Sequence, residues 1–374
     1  MSLLDEINKG RKEIFTDAYP MSIGELVNMY RDGEIEINPE FQRFYRWSEL
    51  QKVRLIESIL LGIPLPSIFV SQREDGVWEL VDGLQRTSTI LSFMGELMDE
   101  HKQKMTPLKL KGTNYLPAME GMTWTNDDKT LEIEDSIKRI FKREKIEVKI
   151  VKKESDSQTK YELFQRLNTG GSELSRQEVR NCLMIMLDRE TYIMIDELSK
   201  FPPFVSCINL TERLFEERYD MELCLRSISL YKSIKRDIKI DYLKLTDMGD
   251  FLDEATTEIT KLDIIEKSKL IKEFNDAFTL INKTLHENAF RKYSDGIYKG
   301  NFSIALFEAI SISAFLLLDL LKANVLNDLE VEHKLITISQ EIPGMDDFKK
   351  YSGSGVRASS RIPRILGLVM ELCK

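Results

Sequence analysis

Between Gly62 and Met94 the sequence leaves the backbone few choices. Ile63-Pro64-Leu65-Pro66 enforces extended chain after the glycine, because each proline fixes its own φ and restricts the residue before it. Ser67 to Ser71 then reads as a strand, Asp75-Gly76 as a hairpin turn, and Val77 to Val81 as the returning strand. That strand runs without a spacer into Asp82-Gly83-Leu84-Gln85-Arg86, after which Thr87, Ile90, Leu91, Phe93 and Met94 fall at helical spacing. A hairpin that empties directly into a helix puts these five residues at a strand-to-helix junction.

Such a junction suits an anion. A glycine at a helix start lets a ligand approach the backbone, and the N–H groups of the first turn, with the helix dipole, favour negative charge. Gly83 takes that position. Arg86 in the first turn can fork onto phosphate oxygens, and Gln85 can donate to a phosphate or read a base or ribose. Asp82 has three open readings: holding a metal-bound water, accepting a proton, or capping the helix. Asp82, Gln85 and Arg86 are therefore the candidate catalytic residues, and Gly83 and Arg86 candidate phosphate ligands. No metal ligand set is specified.

Two further polar clusters accompany the junction. Gln42-Arg43 lies among Phe41, Phe44, Tyr45 and Trp47, and an arginine between aromatic rings suits both phosphate pairing and base stacking. A helix over 158–167 ends in Asn168-Thr169-Gly170-Gly171; a glycine C-cap accounts for the glycines, while Arg166, Asn168 and Thr169 gather polar groups on one turn. Gln42, Arg43, Arg166, Asn168 and Thr169 complete the candidate nucleotide-binding set.

Around these clusters, Ser22/Glu25, Ser48/Gln51 and Ser175/Glu178 read as helix-opening caps. Ile35 to Ile37 and Lys145 to Val151 read as strands, the latter with Ile146, Val148 and Ile150 on one face. Residues 99–130 read as an irregular excursion, and everything from Ser157 onward as helix. The break at Phe201-Pro202-Pro203-Phe204 sets the expected boundary: a small mixed domain over 1–200 and a helical domain over 201–374, an α+β chain, with an insertion-like loop over 344–364.

A net charge of -9 argues against coating nucleic acid with the whole surface, but a local basic face can still bind phosphates. Lys138, Arg139, Lys142, Arg143 and Lys145 are the candidate DNA-binding residues, with lysine-guarded edge strand as the competing reading. A second basic candidate is Lys349, Lys350, Arg357, Arg361 and Arg364, in a Gly/Ser loop read as ending at a proline-initiated helix. The longest apolar run, Ala314 to Leu321, is short of the ~20 residues of a spanning helix. No signal peptide opens the chain, and Cys182, Cys207, Cys224 and Cys373 form no CxxC pair, so no membrane partner and a cytoplasmic location are expected. There is no GxxxxGK[ST] segment, so any triphosphate site is non-Walker. His101, His286 and His333 are too dispersed for an HNH nuclease site.

The three polar clusters, in this order, resemble the N-terminal part of the GmrSD-type restriction and anti-phage proteins, whose hallmark is an aspartate-glycine-glutamine-glutamine-arginine motif. The likeness runs from about Ile23 to Leu187 and departs from the hallmark at Leu84. A helical likeness continues from Phe215 to Arg226. The resemblance implies a ParB/sulfiredoxin-like first domain, in which Gly83 and Arg86 match a phosphate-binding Gly-x-x-Arg element, and Asp82, Gln85 and Arg43 match the family's other polar positions. It further implies a nucleoside triphosphate and phage DNA as ligands. Mg as a cofactor, a companion nuclease or effector subunit, and a homo-oligomer are further expectations. The expected function is nucleotide-dependent defence against foreign or modified phage DNA. The alternatives are a nuclease or DNA glycosylase using the same pocket, and a non-enzymatic sensor that regulates a partner effector.

Overall fold

Hydrophobic alternation and helix caps fix the first elements. The computed structural model describes residues 16–37, 47–99, 101–152, 175–353 and 355–374. Its first strand, β1 (Thr16–Ser22), ends at Ser22, whose hydroxyl accepts the Glu25 amide at 3.1 Å and opens α1 (Ile23–Arg31). Strand β2 (Ile35–Glu36) follows, then α2 (Glu49–Leu60), which starts on the complete capping box of Ser48 and Gln51. Strands β3 (Ile68–Gln72) and β4 (Trp78–Asp82) form the hairpin, and α3 (Leu84–Phe93) departs from it. Helix α4 (Asp135–Arg143) and strand β5 (Lys145–Val151) close this part of the chain.

The five strands make one mixed sheet in the order β1-β5-β3-β4-β2. β5 is antiparallel to β1 and parallel to β3, β3 is antiparallel to β4, and β4 is parallel to β2. Ile146, Val148 and Ile150 are all buried, as their alternation requires. β5 is paired on both sides, so edge protection does not account for its lysines. Residues 101–134 contain no helix longer than the 3₁₀ turn Pro117–Met119. They are nonetheless tied down: Trp124 packs edge-on against Phe93 with ring centroids 5.4 Å apart, and Phe141 of α4 completes the cluster at 5.3 Å from Phe93.

The chain divides into two compact units at 173/174, not near 201. Helices α5 (Arg176–Leu187) and α6 (Arg189–Ser199), expected with the first domain, belong to the second unit, because charged side chains on both are satisfied there. The Phe201 break opens only a short internal helix, α7 (Pro202–Cys207). The unit continues through α8 (Glu212–Glu216), α9 (Tyr219–Lys235), α10 (Met248–Ile259), α11 (Ile264–Leu285), α12 (Ile304–Lys322), α13 (Asp328–Glu341), α14 (Asp346–Ser352) and α15 (Ala358–Leu372). A small mixed sheet domain followed by a mainly helical one is the α+β organisation expected.

Three details depart from the sequence reading. A hairpin of β6 (Lys292–Ser294) and β7 (Ile297–Lys299) interrupts the helices, turning through Asp295 and Gly296, both at positive φ. The expected 344–364 loop is mostly α14 and α15, and Pro363 lies inside α15 instead of initiating it. Helix α12 is long and apolar enough by composition to cross a bilayer, contrary to the shorter apolar run read from sequence, but 67% of it is buried as the central helix of this unit.

A chain of buried ion pairs crosses helices of this unit. Arg180 on α5, 1% exposed, bonds Asp253 on α10 at 2.7 Å and Glu222 on α9 at 3.2 Å. Glu222 accepts from Arg226 at 2.7 Å, Arg226 reaches Glu308 on α12 at 2.7 Å, and Arg361 on α15 forks onto both oxygens of Glu308 at 2.8 and 2.9 Å. Three guanidiniums balance three carboxylates. Because Glu308 is fully buried between two arginines, truncating it strips Arg361 of its carboxylate and leaves Arg226 with Glu222 alone, a loss of about 3–5 kcal/mol. Glu308→Ala is therefore expected to lower the denaturation midpoint steeply, whereas Arg213→Ala, which breaks an exposed pair with Glu217, should leave it unchanged.

Candidate functional site

The junction forms because β4 must turn sharply into α3. Gly83 makes the turn at φ +97, and a Cβ built there would overlap Ile68 Cγ2 and come within 2.9 Å of Ile68 Cβ. Only glycine meets both demands. As N-cap it supplies no side chain, and among the described residues no side chain caps α3; the first intrahelical bond is Thr87 N–H to the Gly83 carbonyl at 2.9 Å. The first-turn amides therefore face the junction with the positive end of the dipole behind them.

Asp82 does not cap the helix. It precedes Gly83, and its Oδ2 accepts Arg86 Nη2 at 3.0 Å; the two side chains are only 22% and 13% exposed. Burial pushes the Asp82 carboxyl above its ordinary range, against the opposing charge of Arg86 and the Gly83 amide. The pair is thus a half-buried carboxylate and guanidinium at a helix N-terminus, not a cap with a solvent-exposed arginine. Leu84, where the hallmark has an amide, is the first helical residue and half-buried.

Gln85 is engaged otherwise than expected. Its Oε1 accepts the Trp47 amide at 3.1 Å, and its carbonyl accepts the Thr89 hydroxyl at 2.6 Å. Gln85 therefore anchors the described end of the segment that contains Gln42 and Arg43. β2, whose end flanks the same segment on the other side, runs parallel to β4 and so points toward the Asp82 end of the sheet. Gln42, Arg43, Arg166, Asn168 and Thr169 lie outside the described residues. The sequence reading missed Ile68, which dictates the glycine, and the fully buried hydroxyls of Thr87 and Ser88, which have no hydrogen-bond partner among the described residues. The Thr87-Ser88-Thr89 run inside an otherwise apolar helix face was the available signal.

The donor set fits a phosphate: an uncapped helix N-terminus and an arginine that gives one nitrogen to Asp82. One carboxylate supplemented by phosphate oxygens is also an ordinary Mg donor set.

The basic face is partly as expected. On α4, Arg139, Lys142 and Arg143 share one exposed face at helical spacing, and Lys145 opens β5 beside them. Lys138 differs: it reaches Glu132 at 2.5 Å and its side chain is 15% exposed, so its charge is already answered. Glu132 falls to about 2, held down by hydrogen bonds from Lys129 and Lys138.

Residues 23–185, less than half of the chain, match the family of the GmrSD restriction endonuclease, N-terminal domain. No curated protein and no solved structure matches the chain. The match ends inside α5, so it runs past the first compact unit.

Gly83→Ala combines a left-handed backbone with overlap on Ile68 and is expected to cost about 2–4 kcal/mol. Gly76→Ala, at φ +88 with nothing within 4 Å, carries the backbone cost alone, about 1–2 kcal/mol. Urea unfolding of the two variants separates the contributions.

Proposed function

We propose that this protein is a nucleotide-binding, NTP-hydrolysing protein with a ParB-like first domain that acts in restriction-type defence against foreign or modified phage DNA. The observation that carries the reading is the uncapped start of α3 at Gly83 with the Asp82–Arg86 pair beside it. The match of residues 23–185 to a restriction endonuclease N-terminal family supports the defence role.

In this reading the α3 amides and Arg86 hold the phosphates, Gln85 positions the segment with Gln42 and Arg43 through Trp47, and Asp82 orients or deprotonates the attacking water. The exposed cations Arg139, Lys142, Arg143 and Lys145 meet the DNA backbone. Raised Asp82 favours the proton-accepting role, since a carboxyl poised above its usual range is a stronger base.

Arg86→Ala removes charge-assisted hydrogen bonds to phosphate, and triphosphate affinity should fall about 10- to 100-fold by calorimetry. Unchanged affinity in that variant overturns the phosphate site. Phosphate release from none of the common nucleoside triphosphates, with or without DNA, overturns hydrolysis and leaves a sensor of nucleotide. DNA cleavage or abasic-site formation abolished by Asp82→Ala points to chemistry on DNA instead.

The pH dependence follows from the sign of the shift. Raised Asp82 is protonated at a higher pH than a free aspartate, so hydrolysis needing the carboxylate is lost earlier as pH falls. Arg86 favours the ionised form, so Arg86→Gln should move this acid limb further up in pH, read from the pH–rate profile or the carboxyl carbon resonance of Asp82.

A further inference from the structure

The basic loop read from sequence near the C-terminus does not act as one set. Arg361 is committed to buried Glu308, while Lys350 and Arg364 lie over the Tyr351 ring at 5.4 and 5.7 Å. Lys349 instead faces the β6–β7 hairpin across a cleft of about 460 Å³, lined by Lys292, Lys299 and Lys349 with Asn301, Ser303 and Ser352. No carboxylate is among its described lining residues.

The hairpin is built to hold its lysines there. The register sets Lys292 directly opposite Lys299, an arrangement that is locally unfavourable for like charges. The Tyr293 and Tyr298 rings pack at 4.8 Å, and the Tyr298 hydroxyl is 2.6 Å from that of Ser339 on α13, which fixes the hairpin to the helices. The carboxylates that answer Lys299 and Lys349 from outside the cleft, Asp295 and Asp346, are 79% and 104% exposed, so these pairs are solvent-screened and readily exchanged. Three exposed lysines thus converge, with small hydroxyl and amide side chains, at the N-terminal end of the 19-residue α12.

We propose that this cleft binds the phosphodiester backbone of a nucleic acid, giving the helical unit a DNA contact of its own. Lysine point charges with serine and asparagine donors are backbone-contacting chemistry. The one aromatic lining residue, Phe348, is buried, so no exposed ring is offered to stack a base and hold a mononucleotide. The inference rests on DNA as a partner but not on the nucleotide site at Gly83.

The test measures binding of the full chain to duplex DNA by fluorescence anisotropy across a salt series. Three variants are compared: Lys292→Gln/Lys299→Gln/Lys349→Gln in the cleft; Arg139→Gln/Lys142→Gln/Arg143→Gln on α4; and Lys269→Gln/Lys272→Gln/Lys322→Gln elsewhere on the helical unit as a control that matches the change in net charge. Every DNA phosphate that a substitution leaves unneutralised lowers the slope of log K against log salt by about 0.9, so the cleft variant should drop by roughly 2–3 in slope and at least about tenfold in affinity, with the control near wild type. A cleft variant that keeps both slope and affinity overturns the proposal, as does an equal drop in the control. Weakened binding in the α4 variant alone overturns the cleft and leaves DNA as the partner. No DNA binding by wild type overturns both. Displacement of DNA from the α4 variant by millimolar inorganic pyrophosphate, without displacement by an uncharged nucleoside, agrees with a phosphate site; tight stoichiometric binding of a mononucleotide by wild type, abolished in the cleft variant, overturns the backbone assignment.

Discussion

The left-handed turn at Gly83 is the constraint on which the first unit depends. Ile68 on the neighbouring strand occupies the space a side chain would need, so the turn cannot relax without moving β3. Once it is fixed, α3 leaves the sheet in one direction with two consequences. At its start, Asp82 and Arg86 meet one helical turn apart across the glycine, and Gln85 reaches the Trp47 amide. At its end, Phe93 enters the aromatic cluster with Trp124 and Phe141, which holds the irregular 101–134 chain and α4 on the same core. A conformational demand at one residue thereby links the polar junction to the apolar core.

The helical unit uses a different device. Its central helix, α12, is almost uniformly apolar and would pack against many partners in many rotations, yet Glu308 admits only the orientation in which Arg226 and Arg361 both reach it. Buried ion pairs contribute little net stability once desolvation is counted, and their best-attested use is to specify register. The same chain of charges explains the unit boundary. Arg180, near the end of the segment that matches the GmrSD N-terminal family, is held by Asp253 and Glu222, so the last helix of that segment is built into the helical unit. The inherited sequence segment and the compact structural unit are different divisions of one chain.

Local signals were legible and distant ones were not. Ser22, Ser48 and Ser175 announced their helices because a cap is satisfied within three residues, and Asp75-Gly76 announced its hairpin for the same reason. Asp295-Gly296 carried the same hairpin signal between Tyr293 and Tyr298 but is surrounded by helix, and it was overlooked. Phe201-Pro202-Pro203 is a strong local break, while the ion pairs that tie α5 and α6 into the helical unit join Arg180 to Asp253 and Asp196 to Arg218 across longer stretches of sequence. At the junction, the turn at Gly83 and the first-turn placement of Arg86 were readable from the strand-to-helix pattern. The role of Gln85 was not, because its partner is a backbone amide in another loop.

The geometry sets aside the capping reading of Asp82. A capping aspartate would accept the first-turn amides and close the helix N-terminus to any ligand. Standing one residue earlier, behind a glycine without a side chain, Asp82 turns to Arg86 and leaves that end of α3 uncapped. Arg86 gives one nitrogen to the carboxylate, and a guanidinium has five donors in a fixed fork, so the arginine can keep Asp82 and still face an anion. An anion bound there draws on the charge that now lowers the Asp82 pKa, and the carboxyl, already lifted by burial, becomes more basic as the ligand arrives. In the proposed reading, the shared arginine therefore couples occupancy of the phosphate position to the proton affinity of the neighbouring carboxyl.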